Sequence, residues 1–363
     1  MMVLHLLVFG IGLILVLLTL LSAIRVFVLP RSAPDLLLAF VFWTIRRLFQ
    51  LRLRWARTFT ERDRLMALYA PISLITLLPM WYMMITLGYT GMFWATGIAS
   101  WSRAATLSGS SLLTIGFATG TTLIHTLLAF TEATIGLLLV ALLIAYLPTM
   151  YGVFSRREVA ISQLSSRAGV PPSATEMIVR LHRIGGLAHL RDFWESWNER
   201  FAEIEETHTS FPALVFFRSP HPENSWVTAA GVVLDSATLI ASTIDVPREP
   251  QAELCIRAGF LALRGIADFF GIEYPPVPYY PADPISISRT EFDQVCSQLA
   301  EHGVPLKADR DQAWQDFAGW RVNYDQVLLA LCALTLAPDA MWSSDRAPAF
   351  SLSLFGHKRN KRR

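Results

Sequence analysis

Long apolar runs dominate the first part of the chain. The runs cover Met2 to Ile24, Leu65 to Leu87 and Leu123 to Phe154. About 20 apolar residues are enough for a helix to cross the hydrocarbon core of a bilayer. We therefore predict three transmembrane helices, within residues 1–30, 65–87 and 123–154. Basic residues follow the first run instead of preceding it, which favours a retained helix with its N-terminus outside over a cleaved signal peptide.

The segment between the first two runs, residues 31–64, is strongly basic. Such a density of positive charge predicts that this loop lies on the cytoplasmic side of the membrane. Apolar residues alternate with the arginines, which predicts helix lying at the membrane interface. Contact with anionic headgroups is one hypothesis, and a pure topology signal is the other. The headgroup candidates are Arg46, Arg47, Arg54 and Arg57.

The connection between the second and third runs carries the candidate chemistry. We expect Gly88 to Trp101, which has no charged residue, to form a short interfacial turret. Ser102 to Leu113 is rich in small residues and predicts a helix about 18 Å long, which reaches only to the middle of the bilayer. The sequence then reads T-I-G-F-A over residues 114–118.

Non-helical backbone survives at membrane depth only where protein or water surrounds it. A selectivity filter uses such backbone, because its carbonyl oxygens replace the water around an ion. Gly116 can adopt a positive φ without a Cβ clash, and Thr114 offers a hydroxyl as well as a carbonyl. Phe117 is expected to point outward as a packing wedge. An ordinary Ser/Thr/Gly turn between two membrane helices is the plainer alternative.

Residues 65–157 resemble the pore of the potassium channel superfamily, of the inward-rectifier-like or bacterial two-helix type. The resemblance rests on the 106–120 segment T-L-S-G-S-S-L-L-T-I-G-F-A-T-G, on E-A-T-I-G-L at 132–137 and on V-F-S-R-R at 153–157. It implies an outer helix (65–87), a pore helix (102–113), a filter (114–120) and an inner helix (123–154). It also implies a homotetramer that passes potassium ions.

By the same resemblance, the backbone carbonyls of Thr114, Ile115, Gly116 and Phe117 bind potassium, and Ala118 completes the filter. Most members of the superfamily have a second glycine and then an aspartate where this chain has Ala118 and Thr119. Alanine at positive φ costs about 1–2 kcal/mol. Weaker selectivity among monovalent cations is therefore an alternative to potassium selectivity, and a non-conducting scaffold with a degenerate loop is the rival function.

Three residues of the inner helix are gating or cavity candidates. Gly136 matches the glycine at which such helices bend, and Pro148 removes a backbone hydrogen bond lower down. Glu132 is the only acidic residue within the three runs, and a lone carboxylate in lipid costs roughly 2.5–3.5 kcal/mol. It is predicted to brace the filter from behind, to face the cavity, or to make a structural hydrogen bond to a neighbouring helix.

The second part of the chain is acidic apart from its C-terminus. We predict a mostly helical cytoplasmic domain over residues 155–350 and a basic tail over 351–363. Capping boxes begin at Ser173 and Ser288. Residues 226–246 are almost uncharged and long enough to cross a membrane; we expect a buried core helix, with a fourth span as the alternative, because Asp235 would lie at the bilayer centre.

No catalytic pair, metal-ligand cluster or nucleotide-binding motif is recognisable, so we predict no enzyme and no cofactor other than the permeant potassium ion. Cys255, Cys296 and Cys332 are widely spaced and indicate buried thiols. We expect membrane lipid as a partner, no nucleic acid, and an unidentified ligand or protein at the C-terminal domain. The predicted location is multi-pass in a prokaryotic inner membrane, with the C-terminal domain in the cytoplasm.

Overall fold

The computed structural model describes residues 2–29, 35–53, 55 and 58–348. Within these residues every regular element is a helix, and the only β-type pairing is an isolated bridge between Ile244 and Leu306. The α-helices are α1 (Met2–Phe27), α2 (Leu36–Leu53), α3 (Phe59–Ala67), α4 (Tyr69–Ala95), α5 (Trp101–Leu112), α6 (Leu123–Ala168), α7 (Ala174–Arg183), α8 (Arg191–Ser210), α9 (Trp226–Ser242), α10 (Pro250–Phe269), α11 (Arg289–Glu301), α12 (Arg310–Arg321) and α13 (Asp325–Thr335).

The chain divides into two compact units. The first unit comprises residues 1–54 and 68–152, and the second comprises 55–67 and 153–363. Helix α3 therefore belongs to the second unit although it directly precedes α4 in sequence. Arg218 anchors it there, donating to Asp63 Oδ1 at 2.6 Å and to the carbonyl oxygens that end α13.

Three helical segments of the described chain are long and apolar enough to cross a membrane. They are α1, the segment Glu61–Ala95 that includes α4, and α6. The structure thus confirms an all-helical chain with three helices of membrane-crossing length and hydropathy. Helix α2 is not among them, and its exposed Leu36, Phe40 and Leu48 leave an apolar surface uncovered.

Two helices extend beyond their predicted ends. Helix α4 begins at Tyr69 and continues through Ala95, so the residues from Gly88 to Ala95 are helical and the predicted turret is wrong over this stretch. The physical reason is packing: a Cβ on Gly88 would lie 2.8 Å from Gly12 O in α1. The glycine allows two helices to approach closely, as small residues do in membrane helix pairs. Helix α6 continues past Phe154 to Ala168, where Ile161, Leu164 and Ala168 join the core of the second unit.

A buried polar cluster links α1, α2 and α4 in the first unit. Asp35 accepts hydrogen bonds from Ser22 Oγ at 2.8 Å and from the Leu38 backbone N–H at 2.9 Å, so its carboxylate caps the start of α2. Trp81 Nε1 donates to Ser22 Oγ at 3.2 Å. The cluster satisfies polar groups that would be costly to leave unpaired in an apolar environment.

Helix α9 lies at the centre of the second unit, where α7, α10, α12 and α13 surround it. Nearly all of its side chains are buried. Its acid, Asp235, pairs with the buried Arg321, which also donates to Asp325 at 2.7 Å. Burial raises the pKa of the Asp235 carboxyl, and the adjacent Arg321 opposes that rise. Residues 226–242 are therefore a core helix of the second unit, as expected.

Local signals explain several helix starts in the second unit. Ser288 and Glu291 form a reciprocal capping box, whereas Ser173 supplies only its own half by accepting from the Glu176 N–H. The segment before α9 is a 3-10 helix over Pro212–Phe216. All three cysteines are buried. The predicted tail 351–363 lies outside the described residues.

Candidate pore segment

Helix α5 occupies the position predicted for the pore helix, one residue earlier at each end. Ser100 caps it by accepting from the Arg103 backbone N–H at 3.2 Å. One face, which includes Ala104, Leu107 and Leu112, is buried, and α4 is its neighbour. The helix is about 18 Å long and so spans only part of a bilayer.

The chain leaves the helical conformation after α5 and regains it at α6. Gly116 has φ of +75°, the left-handed region that a glycine enters without steric cost. Thr114 has φ of +54°, which is unusual for a β-branched residue and was not anticipated. Ala118 is outside that region, so the strain expected at Ala118 is absent and strain lies at Thr114 instead. Backbone strain of this kind is found mainly where the surrounding structure enforces it.

Ser110 holds the non-helical segment against the end of α5. Its carbonyl oxygen accepts from the N–H groups of Ile115 at 3.0 Å and Gly116 at 3.3 Å. Its hydroxyl oxygen accepts from the Ala118 N–H at 3.1 Å. Ser110 itself is 1% exposed, whereas Ile115 and Gly116 are exposed and Ala118 is half-buried. Ser110 therefore fixes three amides of the segment, and the Ser111 carbonyl oxygen accepts from a fourth, the Thr114 N–H, at 3.0 Å.

The carbonyl side of the same segment is free. Within the described residues, no donor hydrogen-bonds to the carbonyl oxygens of residues 114–118. Thr114 and Gly116 are exposed in the single chain, as are the side chains of Ile115 and Phe117, at 61% and 66%. Most of the Phe117 surface is thus left uncovered by its own chain. Unpaired carbonyl groups at membrane depth need water, an ion or another chain as a partner.

Glu132 lies behind α5 and is completely buried. It accepts a hydrogen bond from Ser108 Oγ at 2.5 Å, and Ser108 also lies 3.3 Å from Thr86 O on α4. The carboxylate therefore joins α6 to the helix that precedes the segment and does not face open space in this chain. Of the three predicted arrangements, the geometry shows the hydrogen bond to a neighbouring helix, and bracing of the filter or attraction of cations in the cavity stays a prediction.

Gly136 is also a contact point between α5 and α6. A Cβ at this position would collide with the carbonyl oxygen of Leu112, and Tyr82 on α4 donates to Gly136 O at 2.9 Å. Helix α6 continues through Gly136 and Pro148 without interruption, and Pro148 is exposed. The glycine thus permits close packing here, and a hinge at either residue stays a prediction.

Two further contacts hold the N-terminal end of α6. His125 is buried, and its Nε2 lies 3.3 Å from Thr96 O. A Cβ on Gly120 would collide with the His125 side chain, so the chain can turn from the segment into α6 only with a glycine there. His125 and Glu132 are two turns apart on one buried face, as their spacing predicts.

The four arginine candidates for headgroup contact separate into different environments. Arg46 is only 5% exposed, which differs from the prediction that it presents its charge to lipid. The reason is that its face of α2 also carries the buried Val41 and Phe42. Arg47 is exposed and lies 5.2 Å over the Trp43 ring. Arg54 and Arg57 lie outside the described residues.

Sequence reasoning missed Ser108 and Ser110. Ser108 links α5 to α6 through Glu132, and Ser110 bonds to the segment after α5. The available signal was the run S-G-S-S at 108–111, where polar residues with short side chains fall inside an apolar environment. Such residues need partners, and here the partners are Glu132 and the Ala118 N–H. The part of the chain that the structure describes holds no cluster of three or more His, Cys, Asp or Glu able to bind a metal.

No protein-family model, curated protein or solved structure matches this chain. A functional proposal therefore depends on the geometry of α5, the segment after it and α6.

Proposed function

We propose that four copies of the chain form a pore that conducts potassium, or monovalent cations with weaker selectivity. One observation carries the proposal: the amides of Ile115, Gly116 and Ala118 are bonded to Ser110, whereas the carbonyl oxygens of residues 114–118 have no partner within the described chain. Carbonyl oxygens on a narrow, non-helical strand are the groups that replace water around a permeating ion. Four strands around one axis would supply complete rings of them.

The helices around the segment support the same arrangement. Helix α5 ends near mid-membrane depth, and the negative end of its dipole favours a cation beyond its C-terminus. Helix α6 is the least buried of the three membrane-length helices in the single chain. A helix that lines a shared axis needs such an uncovered face. Phe117, exposed in one chain, would pack between subunits.

In the assembled pore the candidate residues have distinct roles. Thr114, Ile115, Gly116, Phe117 and Ala118 form the filter, with potassium held by the carbonyls of the first four. The inner helices open and close below it, at Gly136 and Pro148. We infer from the charge of the arginine-rich segment that it lies on the cytoplasmic side. The second unit would then lie in the cytoplasm, and our proposal assigns the protein to a prokaryotic inner membrane.

Selectivity depends on the outer end of the segment. Most members of the potassium channel superfamily have a glycine and an aspartate where this chain has Ala118 and Thr119. The outermost site of the proposed filter therefore lacks a negative charge. The Ala118 amide is bonded to Ser110 and not to a neighbouring carboxylate. We therefore expect a lower potassium-to-sodium permeability ratio than a complete filter would give.

Ion flux from liposomes tests the proposal. Purified protein is reconstituted with a potassium gradient, and flux is measured with and without barium. The matched variants are Gly116→Ala and Gly10→Ala. Both sites have open space around a built Cβ, but only Gly116 requires a positive φ. We expect barium-sensitive flux in the wild type and in Gly10→Ala and a large loss in Gly116→Ala. An intact tetramer without flux would instead favour a membrane-anchored scaffold.

A further inference from the structure

A cavity of about 410 Å³ lies in the second unit. It is bounded by the last turns of α6, the turn after α7 and the first turns of α8. Its volume is within the range of small-molecule sites. All its lining residues belong to the second unit, so the cavity is independent of the pore segment.

Two arginines in the cavity wall carry charge that no acid neutralises. Arg200 donates to Ser196 Oγ at 3.2 Å and to Gln163 Oε1 at 3.3 Å. Arg167 donates to the Gln163 carbonyl oxygen at 3.0 Å. Among the described residues, neither guanidinium forms an ion pair, although the exposed Arg156, Arg180 and Arg191 all do. Neutral partners thus orient both groups and leave most of their N–H donors free.

The start of α8 adds further donors to the same wall. Leu190 precedes the helix and supplies no side-chain cap, and within the described residues the N–H groups of 191–193 have no acceptor. A helix N-terminus also carries partial positive charge. His189 lines the cavity beside it, and Asp192 is the one carboxylate in the lining. Positive groups therefore outnumber negative ones.

The remaining wall is apolar. Phe193 lies under the Arg167 guanidinium at 5.6 Å, and Trp197 and Ile184 complete this side. A ligand that suits the cavity has a compact anionic group at the arginines and an apolar part beside the aromatic rings. Arginine's planar fork of donors matches phosphate oxygens in particular.

We propose that this cavity binds a phosphate-bearing ligand, with Arg167, Arg200 and the N-terminus of α8 holding the phosphate. A soluble phosphate compound and the headgroup of a phospholipid share this chemistry. The inference is independent of ion conduction, because binding is measured without flux.

Calorimetry with inorganic pyrophosphate tests the site in the full-length protein. Measurements are made in nanodiscs of phosphatidylcholine and, separately, of phosphatidylglycerol. The variant is Arg167→Gln with Arg200→Gln, and the control is Arg257→Gln, which removes one exposed charge from α10. A melting curve for each protein establishes that it is folded.

We expect pyrophosphate to bind the wild type and the control, and to bind the glutamine double variant at least about tenfold more weakly. Equal binding in both nanodiscs supports a soluble phosphate ligand. If pyrophosphate binds the wild type more weakly in phosphatidylglycerol than in phosphatidylcholine, and the double variant shows no such difference, the lipid headgroup is the supported ligand. Absence of binding to the wild type in phosphatidylcholine, or unchanged affinity in the folded double variant, overturns the proposal.

Discussion

At the scale of single residues, the candidate filter depends on which backbone groups are already bonded. Ser110 accepts from three amides of the segment, and this leaves the carbonyl side unpaired. Gly116 and Thr114 both have positive φ, so two peptide groups turn in a way that a regular strand would not allow. The strained Thr114 is stabilised by the hydrogen bonds that follow it.

Substitution of Ser110 should therefore disturb the segment more than substitution of its neighbour. Ser110→Ala removes the hydrogen bond to the half-buried Ala118 N–H, a loss of roughly 0.5–1.5 kcal/mol. Ser111→Ala removes only a bond to Leu107 O within α5 itself. We expect reduced potassium flux and selectivity in Ser110→Ala and near wild-type flux in Ser111→Ala, measured in liposomes. Equal flux in the two variants would contradict this view of the segment.

Glu132 provides a second prediction at this scale. Glu132→Gln keeps an oxygen acceptor for Ser108 Oγ, so the link between α5 and α6 survives without the charge. Because the side chain is buried and not in open space, we expect unchanged single-channel conductance. Glu132→Ala, which removes the acceptor, should lower the melting temperature of the tetramer. A clear drop in conductance in Glu132→Gln would show that the carboxylate attracts cations in the cavity.

At the scale of elements, small residues decide how the membrane-length helices meet. Gly12 of α1 and Gly88 of α4 face each other backbone to backbone, and Gly136 of α6 meets the end of α5 in the same way. Dispersion forces depend on such close approach, because lipid is as apolar as the helices themselves. A glycine in an apolar run can therefore serve close helix packing, although in the sequence it looks like a glycine that marks a turn.

The crossing of α1 and α4 can be tested with two glycines on one helix. Gly12→Ala places a Cβ against the carbonyl oxygen of Gly88, whereas Gly10→Ala meets open space. Overpacking of this kind costs about 1–3 kcal/mol. We expect a lower melting temperature in detergent for Gly12→Ala and no decrease for Gly10→Ala. If both proteins melt alike, α1 does not pack on α4 through these residues.

At the scale of the whole molecule, the single chain leaves its most distinctive surface uncovered. Residues 114–117 and one face of α6 are exposed; that face of α6 is largely apolar, and the segment carries unpaired carbonyl groups. Exposed apolar surface in a membrane helix contacts lipid or another subunit, whereas unpaired carbonyls find no partner in lipid. Assembly around an axis satisfies both requirements.

The number of subunits is consequently the decisive measurement at this scale. We expect native mass spectrometry from detergent to show four chains, and cysteine cross-links placed at Phe117 to join subunits in membranes. Gly116→Ala should still assemble, because its effect is on the backbone of the segment. A protein that is monomeric in membranes would end the pore interpretation.

The sequence by itself determined the helical class, the three membrane-length helices and the short α5 with the irregular segment after it. These features follow from local terms: the transfer free energy of apolar runs, the cap at Ser100 and the φ freedom of Gly116. The capping box at Ser288 is local in the same sense.

Only the tertiary structure decided which polar groups meet. Ser108 meets Glu132, Asp235 meets Arg321, and Arg167 and Arg200 line one cavity, although the members of each set are far apart in the chain. Tertiary structure also decided how far α4 extends and that Arg46 is buried, because both depend on packing against other helices. Such pairings arise from the burial of distant side chains together, and no local pattern encodes the partner.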